Sequence, residues 1–245
     1  MAEETALILR ASRYQDAAKI VTFLSREGGL RTGFARGATA RDNRFGASLE
    51  PVTLCRIVGR GGGPRSLYRI HHAAILDPYR RIHGDYNRLA WAGFVVRFLL
   101  GVLPPDHPEP FLFSLATEAL SLFEGEGDPP ARTWLAFARE GLALLGYRPA
   151  PPVCARCRRI VSGERVLFRP SEGTVLCRIC RSGEGKGGVE TSSDLLEWLS
   201  GTGEGAGPPG GRVAEAADLV DRLIGEHAAG WIPVSSVAFL PEAGR

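Results

Sequence analysis

The sequence predicts a multi-domain α+β protein, with a small five-strand β-barrel followed by an α-helical bundle that carries a four-cysteine module. Three observations lead there. The first 80 residues alternate short β-type runs with Gly-rich turns, the residues after Pro78 switch to helical periodicity, and two CxxC pairs lie nineteen residues apart. The expected domains are 1–80 and 81–245, with the cysteine module inserted at 152–182 and a flexible Gly/Pro-rich loop near 201–211.

The N-terminal runs are "TALILRA", "KIVTFLS", "LRTGFARG", "VTLCRIVG" and "SLYRIHHAAIL". Each is short, rich in β-branched and aromatic residues, and flanked by Gly, Pro, Asp or Asn, so each reads as a strand. The breaks "REGG" and "GRGGGPR" read as hairpin turns because glycine adopts positive φ without steric cost. Cys55, alone in a β-type run, is expected to be a buried small hydrophobe.

Beyond Pro78, Leu89, Gly93, Val96, Leu100 and Leu103 recur at helical spacing, with Trp91, Phe94 and Phe98 widening the apolar stripe. "PFLFSLATEALSLF" and "RTWLAFAREGLALLGY" give two further helices, bounded by Pro-rich segments. After the cysteine module, "SSDLLEWL" and "RVAEAADLVDRLIGEHAAG" read as helices on either side of "SGTGEGAGPPGG".

Cys154, Cys157, Cys177 and Cys180 form "CARC" and "CRIC", two tight turns that each aim a pair of sulfurs at one point. The segment between them can fold as a short hairpin that brings the pairs together. Four thiolates at about 2.3 Å complete a tetrahedral zinc shell, so one structural Zn²⁺ is expected, with disulfides or an iron-sulfur centre as the alternatives. A closed four-sulfur shell leaves no position for a reacting water, and no HxE tripeptide accompanies the cysteines as a zinc deaminase requires. No enzyme activity is expected.

The formal net charge of +3 is unevenly distributed. Residues 1–82 carry 14 basic and 7 acidic side chains, and 154–182 carry 7 and 2; residues 83–153 and 183–245 are acidic overall. Such segregation is the footprint of a polyanion binder, nucleic acid foremost. No apolar run approaches membrane-spanning length and the start "MAEETALILR" has acids where a signal peptide has positive charge, so a cytoplasmic protein without membrane contact is expected. "GEGKGG" at 183–188 satisfies GxGxxG but follows a cysteine knuckle where a nucleotide fold needs a strand, and no Walker motif occurs, so no nucleotide cofactor is expected.

Residues 31–46 contain Arg31, Arg36, Arg41 and Arg44 among small residues and glycines, and Lys19 lies on the preceding strand. Guanidinium forks bond phosphate oxygens in pairs, small residues let a sugar-phosphate chain approach, and Phe34 can stack on a base. Phe45, beside Gly46, reads first as a core anchor. A five-strand barrel with a basic face is the OB-fold used for single strands. Lys19, Arg31, Arg36, Arg41 and Arg44 are therefore the expected nucleic-acid-binding residues.

This segment also resembles the RecO family of bacterial recombination mediators. The pattern "ARGA...RFGA.L.P" falls on Ala35 to Pro51, and the likeness continues through "LDPY", "LLGY" and the paired CxxC motifs, about residues 1–182. It implies a protein that works without catalysis in recombinational DNA repair. Such a protein binds single- and double-stranded DNA, anneals complementary strands, partners RecR, engages the C-terminal tail of single-strand binding protein, and so helps load RecA. It also suggests a peptide groove in the helical domain near Arg132, Trp134 and Arg139. A zinc-ribbon protein acting on RNA or in transcription is the alternative reading of the residues.

Overall fold

The computed structural model describes residues 1–40, 43–61, 67–127, 129–182, 187–203 and 207–234. The chain divides into two compact units, Met1–Asp128 and Pro129–Arg245.

The first unit opens with β1 (Ala2–Tyr14), β2 (Ala18–Ser25), β3 (Gly29–Arg36), β4 (Thr53–Arg60) and β5 (Tyr68–Asp77). They close into a barrel in the order β1-β2-β3-β5-β4. Closure depends on β1, which is longer than its apolar run suggests. Ala2–Ile8 pairs with β4, and Ala6–Tyr14 pairs with β2 across an irregularity between Ile8 and Arg10. Such a bulge bends one strand so that it can serve two neighbours. The remaining seam is a short parallel pairing of Gly33 with Tyr68 and Phe34 with Arg69. This is the five-strand OB-type barrel that the sequence predicts.

Inside lie Ala6, Ile8, Val21, Phe23, Ala35, Phe45, Cys55, Ile57, Tyr68 and Ile70. Phe45 is a core anchor as expected, and Cys55 is fully buried with its thiol on the Ser48 carbonyl at 2.7 Å. Gly29 ends the β2–β3 turn at φ 74°, and a Cβ there would lie 2.1 Å from the His107 carbonyl oxygen, so neither the conformation nor the space admits a side chain.

Helices α1 (Arg80–Gly84), α2 (Tyr86–Val102) and α3 (Pro110–Glu124) belong to the same unit. The Glu124 carboxylate accepts the Arg81 and Ile82 amides of α1, and Asp85 caps α2 by accepting from the Arg88 amide. The buried face of α2 is Trp91, Phe94, Val95, Val96, Phe98 and Leu99. Of the expected stripe, Trp91, Phe94, Val96 and Phe98 lie on that face and Leu103 is buried beyond it, whereas Gly93 and Leu100 are half-buried and Leu89 is exposed. With apolar residues almost all round, periodicity fixes the helix but not the edges of its buried side.

The second unit holds α4 (Pro130–Leu144), a sheet of β6 (Arg165–Arg169), β7 (Thr174–Leu176) and β8 (Val189–Ser192), then α5 (Ser193–Ser200) and α6 (Val213–His227). The β6–β7 hairpin lies between the two CxxC pairs as predicted. Strand β8 adds antiparallel to β6 and was not visible in the sequence, being only four residues long. Ser192 ends β8 and caps α5 by accepting from Leu195. In the loop near 201–211, Gly201 closes α5 in the left-handed conformation and Pro209–Gly211 form a 3₁₀ turn; residues 204–206 lie outside the described residues. Helices α4 and α6 pack together, and Trp134 stacks on Trp231 with ring centroids 6.0 Å apart.

Candidate nucleic-acid interface and metal centre

Strand alternation sends Arg10, Ser12 and Tyr14 of β1 to the outside of the barrel while Ala11 packs toward the core. Cross-strand register then sets neighbours beside them. Ser12 pairs with Ile20, Ile20 with Phe34, Phe34 with Arg69, and Arg69 with Arg60, while Tyr14 pairs with Ala18 and Ala18 with Arg36. The Tyr14 and Phe34 rings meet edge to face at 6.1 Å. One outer face thus combines an aromatic pair with exposed Arg10, Arg36, Arg60 and Arg69, and Arg13 is exposed at the far end of β1. None of these five arginines makes an ion pair among the described residues.

The expected DNA-binding residues take different positions. Arg36 is exposed at the end of β3. Arg44 is exposed with its guanidinium 5.0 Å from the Phe45 ring centroid. Asn43 shapes that turn, accepting from the Phe45 amide at 2.9 Å and donating to the Gly46 carbonyl at 3.3 Å; this buries Phe45 and leaves Arg44 outside. Lys19 is held by Glu50 at 2.7 Å. Arg31 points inward to Glu4 at 2.6 Å and Asp106 at 3.6 Å, and Glu4 also accepts from the buried Ser25 hydroxyl. Arg41 lies outside the described residues.

Arg10, Arg13, Tyr14, Arg60 and Arg69 were not among the residues expected from the sequence to line this candidate face. Alternation along β1 signals Arg10 and Tyr14, but only barrel closure through β3 and β5 carries Arg69 to Phe34.

The cysteines converge. The Cys154, Cys157, Cys177 and Cys180 sulfurs all lie within 4.8 Å of one another, with Cys157 and Cys177 Sγ atoms 3.9 Å apart. A tetrahedral shell with metal–sulfur bonds of about 2.3 Å needs sulfurs roughly 3.8 Å apart, so the donor set fits a metal ion. Two matching turns build it. The Arg158 amide donates to the Cys154 carbonyl at 2.9 Å, and the Arg181 amide to the Cys177 carbonyl at 3.0 Å. Burial pushes the Cys154 thiol up, but backbone amides of Cys157, Cys177 and Arg156 outweigh it and bring it to about 6. Backbone hydrogen bonding from Cys180 likewise lowers Cys177, whereas burial and the neighbouring sulfurs push Cys180 up to about 12.

Arg132, Trp134 and Arg139 all lie on α4. Arg132 is exposed, while Trp134 is in the core. Arg139 pairs with Glu140 at 2.7 Å and lies over the Trp198 ring at 5.2 Å. These three side chains do not come together as one open groove, because Trp134 has no exposed surface to offer. Among the described residues no helix is long and apolar enough to cross a membrane.

A closed OB-type barrel followed by helices and a four-thiol centre defines a barrel-and-helix protein with a cysteine module whose donor set could hold a metal ion. The chain belongs to the RecO family of DNA repair proteins: residues 1–79 match the model for "Recombination protein O N terminal", and residues 83–235 match that for "Recombination protein O C terminal". Proteins named DNA repair protein RecO are similar over most of their length. The one from Geobacter sulfurreducens is 32% identical over 244 residues, covering 96% of this chain and 95% of its own. That from Anaeromyxobacter dehalogenans strain 2CP-1 is 31% identical over 224 residues, 88% of each chain.

Proposed function

We propose that this chain is a non-catalytic recombination mediator that binds DNA through the outer face of its barrel. The observation that carries this reading is the grouping of Arg10, Arg36, Arg60 and Arg69 around Tyr14 and Phe34, with no acid partners among the described residues. Arginines grip phosphates of either one strand or two, and the aromatic pair offers a stacking surface to unpaired bases. Arg44 extends the grip. Arg31 serves instead as an internal brace, and Lys19 joins the contact by exchanging Glu50 for phosphate. Two complementary strands repel each other, and a basic surface that holds both lowers that repulsion without ATP.

Zinc is the metal that best suits four thiolates in a closed tetrahedron, and its role here is to staple the two knuckles and the β6–β7 hairpin. Family membership supports RecR, the acidic tail of single-strand binding protein and, indirectly, RecA as partners in the cytoplasm, at the nucleoid. Exposed Arg132 is the residue of α4 placed to meet an acidic tail; Arg139 assists only by leaving Glu140. Titrating an acidic, aromatic-ended peptide against wild type and Arg132→Ala tests this, and equal binding excludes Arg132.

Strand annealing measured on bare DNA and on DNA coated with single-strand binding protein, across a salt series, tests the proposed function. Acceleration on both substrates that fades with salt is expected. No acceleration on either refutes it.

A further inference from the structure

The two most exposed aliphatic side chains described in the second unit are Ile160 at 77% and Ile179 at 72%, and both belong to the cysteine module. Isolated exposed aliphatics are common on protein surfaces, so what matters is what surrounds them. Ile179 occupies the tip of the second knuckle, two residues after Cys177. The equivalent tip position of the first knuckle, two residues after Cys154, is Arg156, which donates to the Cys180 carbonyl at 3.4 Å. The turn-closing amide bonds and the convergent sulfurs hold both tips in fixed positions. Ile179 is thus an apolar point on a rigid support, flanked by Arg178 and by Arg156 reaching across.

The charges have a consistent arrangement. Both acids of the module are occupied within it, Glu164 by Arg159 at 2.6 Å and Glu172 by Arg169 at 3.7 Å. Arg181 is held by Glu190 at 2.9 Å. Arg158 and Arg178, both exposed, make no ion pair among the described residues. The tip therefore presents isoleucine among cations, with the module's own acids turned to other arginines.

From this juxtaposition we propose that the second knuckle is a wedge that enters the base stack where duplex DNA opens into single strands. Aliphatic side chains flanked by arginines are suited to that task, since the cations hold the two backbones while the apolar tip replaces a stacked neighbour. A protein partner for the same tip would bring acidic side chains to the arginines and would leave DNA structure unaffected, which the test separates. The proposal rests on the DNA-binding reading of the barrel and gives the module a distinct role, recognising the junction and not the strand.

The experiment uses the full-length, metal-loaded chain and forked DNA with 2-aminopurine at the first base pair of the junction, alongside a single strand of equal length. Wild type is expected to raise the junction fluorescence at saturation. Ile179→Ser should cut that rise at least threefold and Ile179→Leu restore it, with single-strand affinity within twofold of wild type throughout. Metal content and circular dichroism verify that the variants are folded, as 72% exposure of the side chain leads one to expect. Arg178→Ala should lower the magnitude of the log-log salt slope on forked DNA by about one and leave the slope on single strands unchanged. An equal fluorescence rise in wild type and Ile179→Ser, with single-strand binding intact, overturns the wedge alone. Loss of single-strand binding in the wild type overturns the barrel reading and the wedge with it.

Discussion

Arg31 lies 2.6 Å from Glu4, joining β3 to β1 inside the barrel, although in sequence it appears to lead a run of DNA-binding arginines. Arg36, five positions further along the same strand, is exposed, so β3 carries both an inward brace and an outward cation.

Removing the brace should cost stability. Glu4 is nearly buried, and in Arg31→Ala its carboxylate would keep the neutral Ser25 and Tyr68 hydroxyls but no cation. Leaving a mostly buried charge without its partner costs about 2–3 kcal/mol, the low end of the range because Arg31 is partly solvated. Urea unfolding should show that loss for Arg31→Ala and less than about 0.5 kcal/mol for Arg36→Ala. Equal stability of the two variants would deny Arg31 this role.

Alkaline pH should weaken the barrel unit. Burial pushes the Cys55 thiol up to about 12, and burial together with nearby carboxylates does the same to the phenols of Tyr68 and Tyr79. In the unfolded chain these groups lose protons nearer pH 8.5 and 10. The folded protein therefore holds more protons at high pH, and its stability falls as pH rises. Their contribution is complete below about pH 8.5 and declines toward pH 12. The urea midpoint should drop between pH 9 and 11, with Cys55→Ala delaying the onset; a midpoint unchanged over that interval contradicts the assignment.

Metal removal should unfold the cysteine module. The four sulfurs are brought together by two short turns and a small hairpin, too little structure to hold four thiolates against their mutual repulsion. One zinc per chain is expected by elemental analysis, and chelation should lower the thermal midpoint and expose thiols to modification. Cys55 should react only after denaturation because it is fully buried. A chelated protein with an unaltered melting curve would show that the module does not depend on metal.

The sequence disclosed this protein unequally. Five strands, the core positions of Phe45 and Cys55, and the convergence of the cysteines were legible because strand alternation, glycine punctuation and CxxC spacing are local signals. The buried side of α2 was legible in part: Trp91, Phe94, Val96 and Phe98 are buried as expected, but Leu89 is exposed on a helix that carries apolar residues nearly all round. Trp134 could be taken for part of a groove because only packing against Trp231 distinguishes a core tryptophan from an exposed one. Arg60 and Arg69 were overlooked for a topological reason: they reach Phe34 only through the parallel pairing that closes the barrel.

The salt dependence of single-strand affinity tests the barrel face most directly. Each phosphate contact on a single strand contributes about −0.7 to the log-log slope. The paired variant Arg36→Ala, Arg44→Ala should bind more weakly and show a slope shallower by about 1.4, with its melting temperature preserved. A slope equal to that of wild type would contradict the account, because those guanidinium groups would then touch no phosphate.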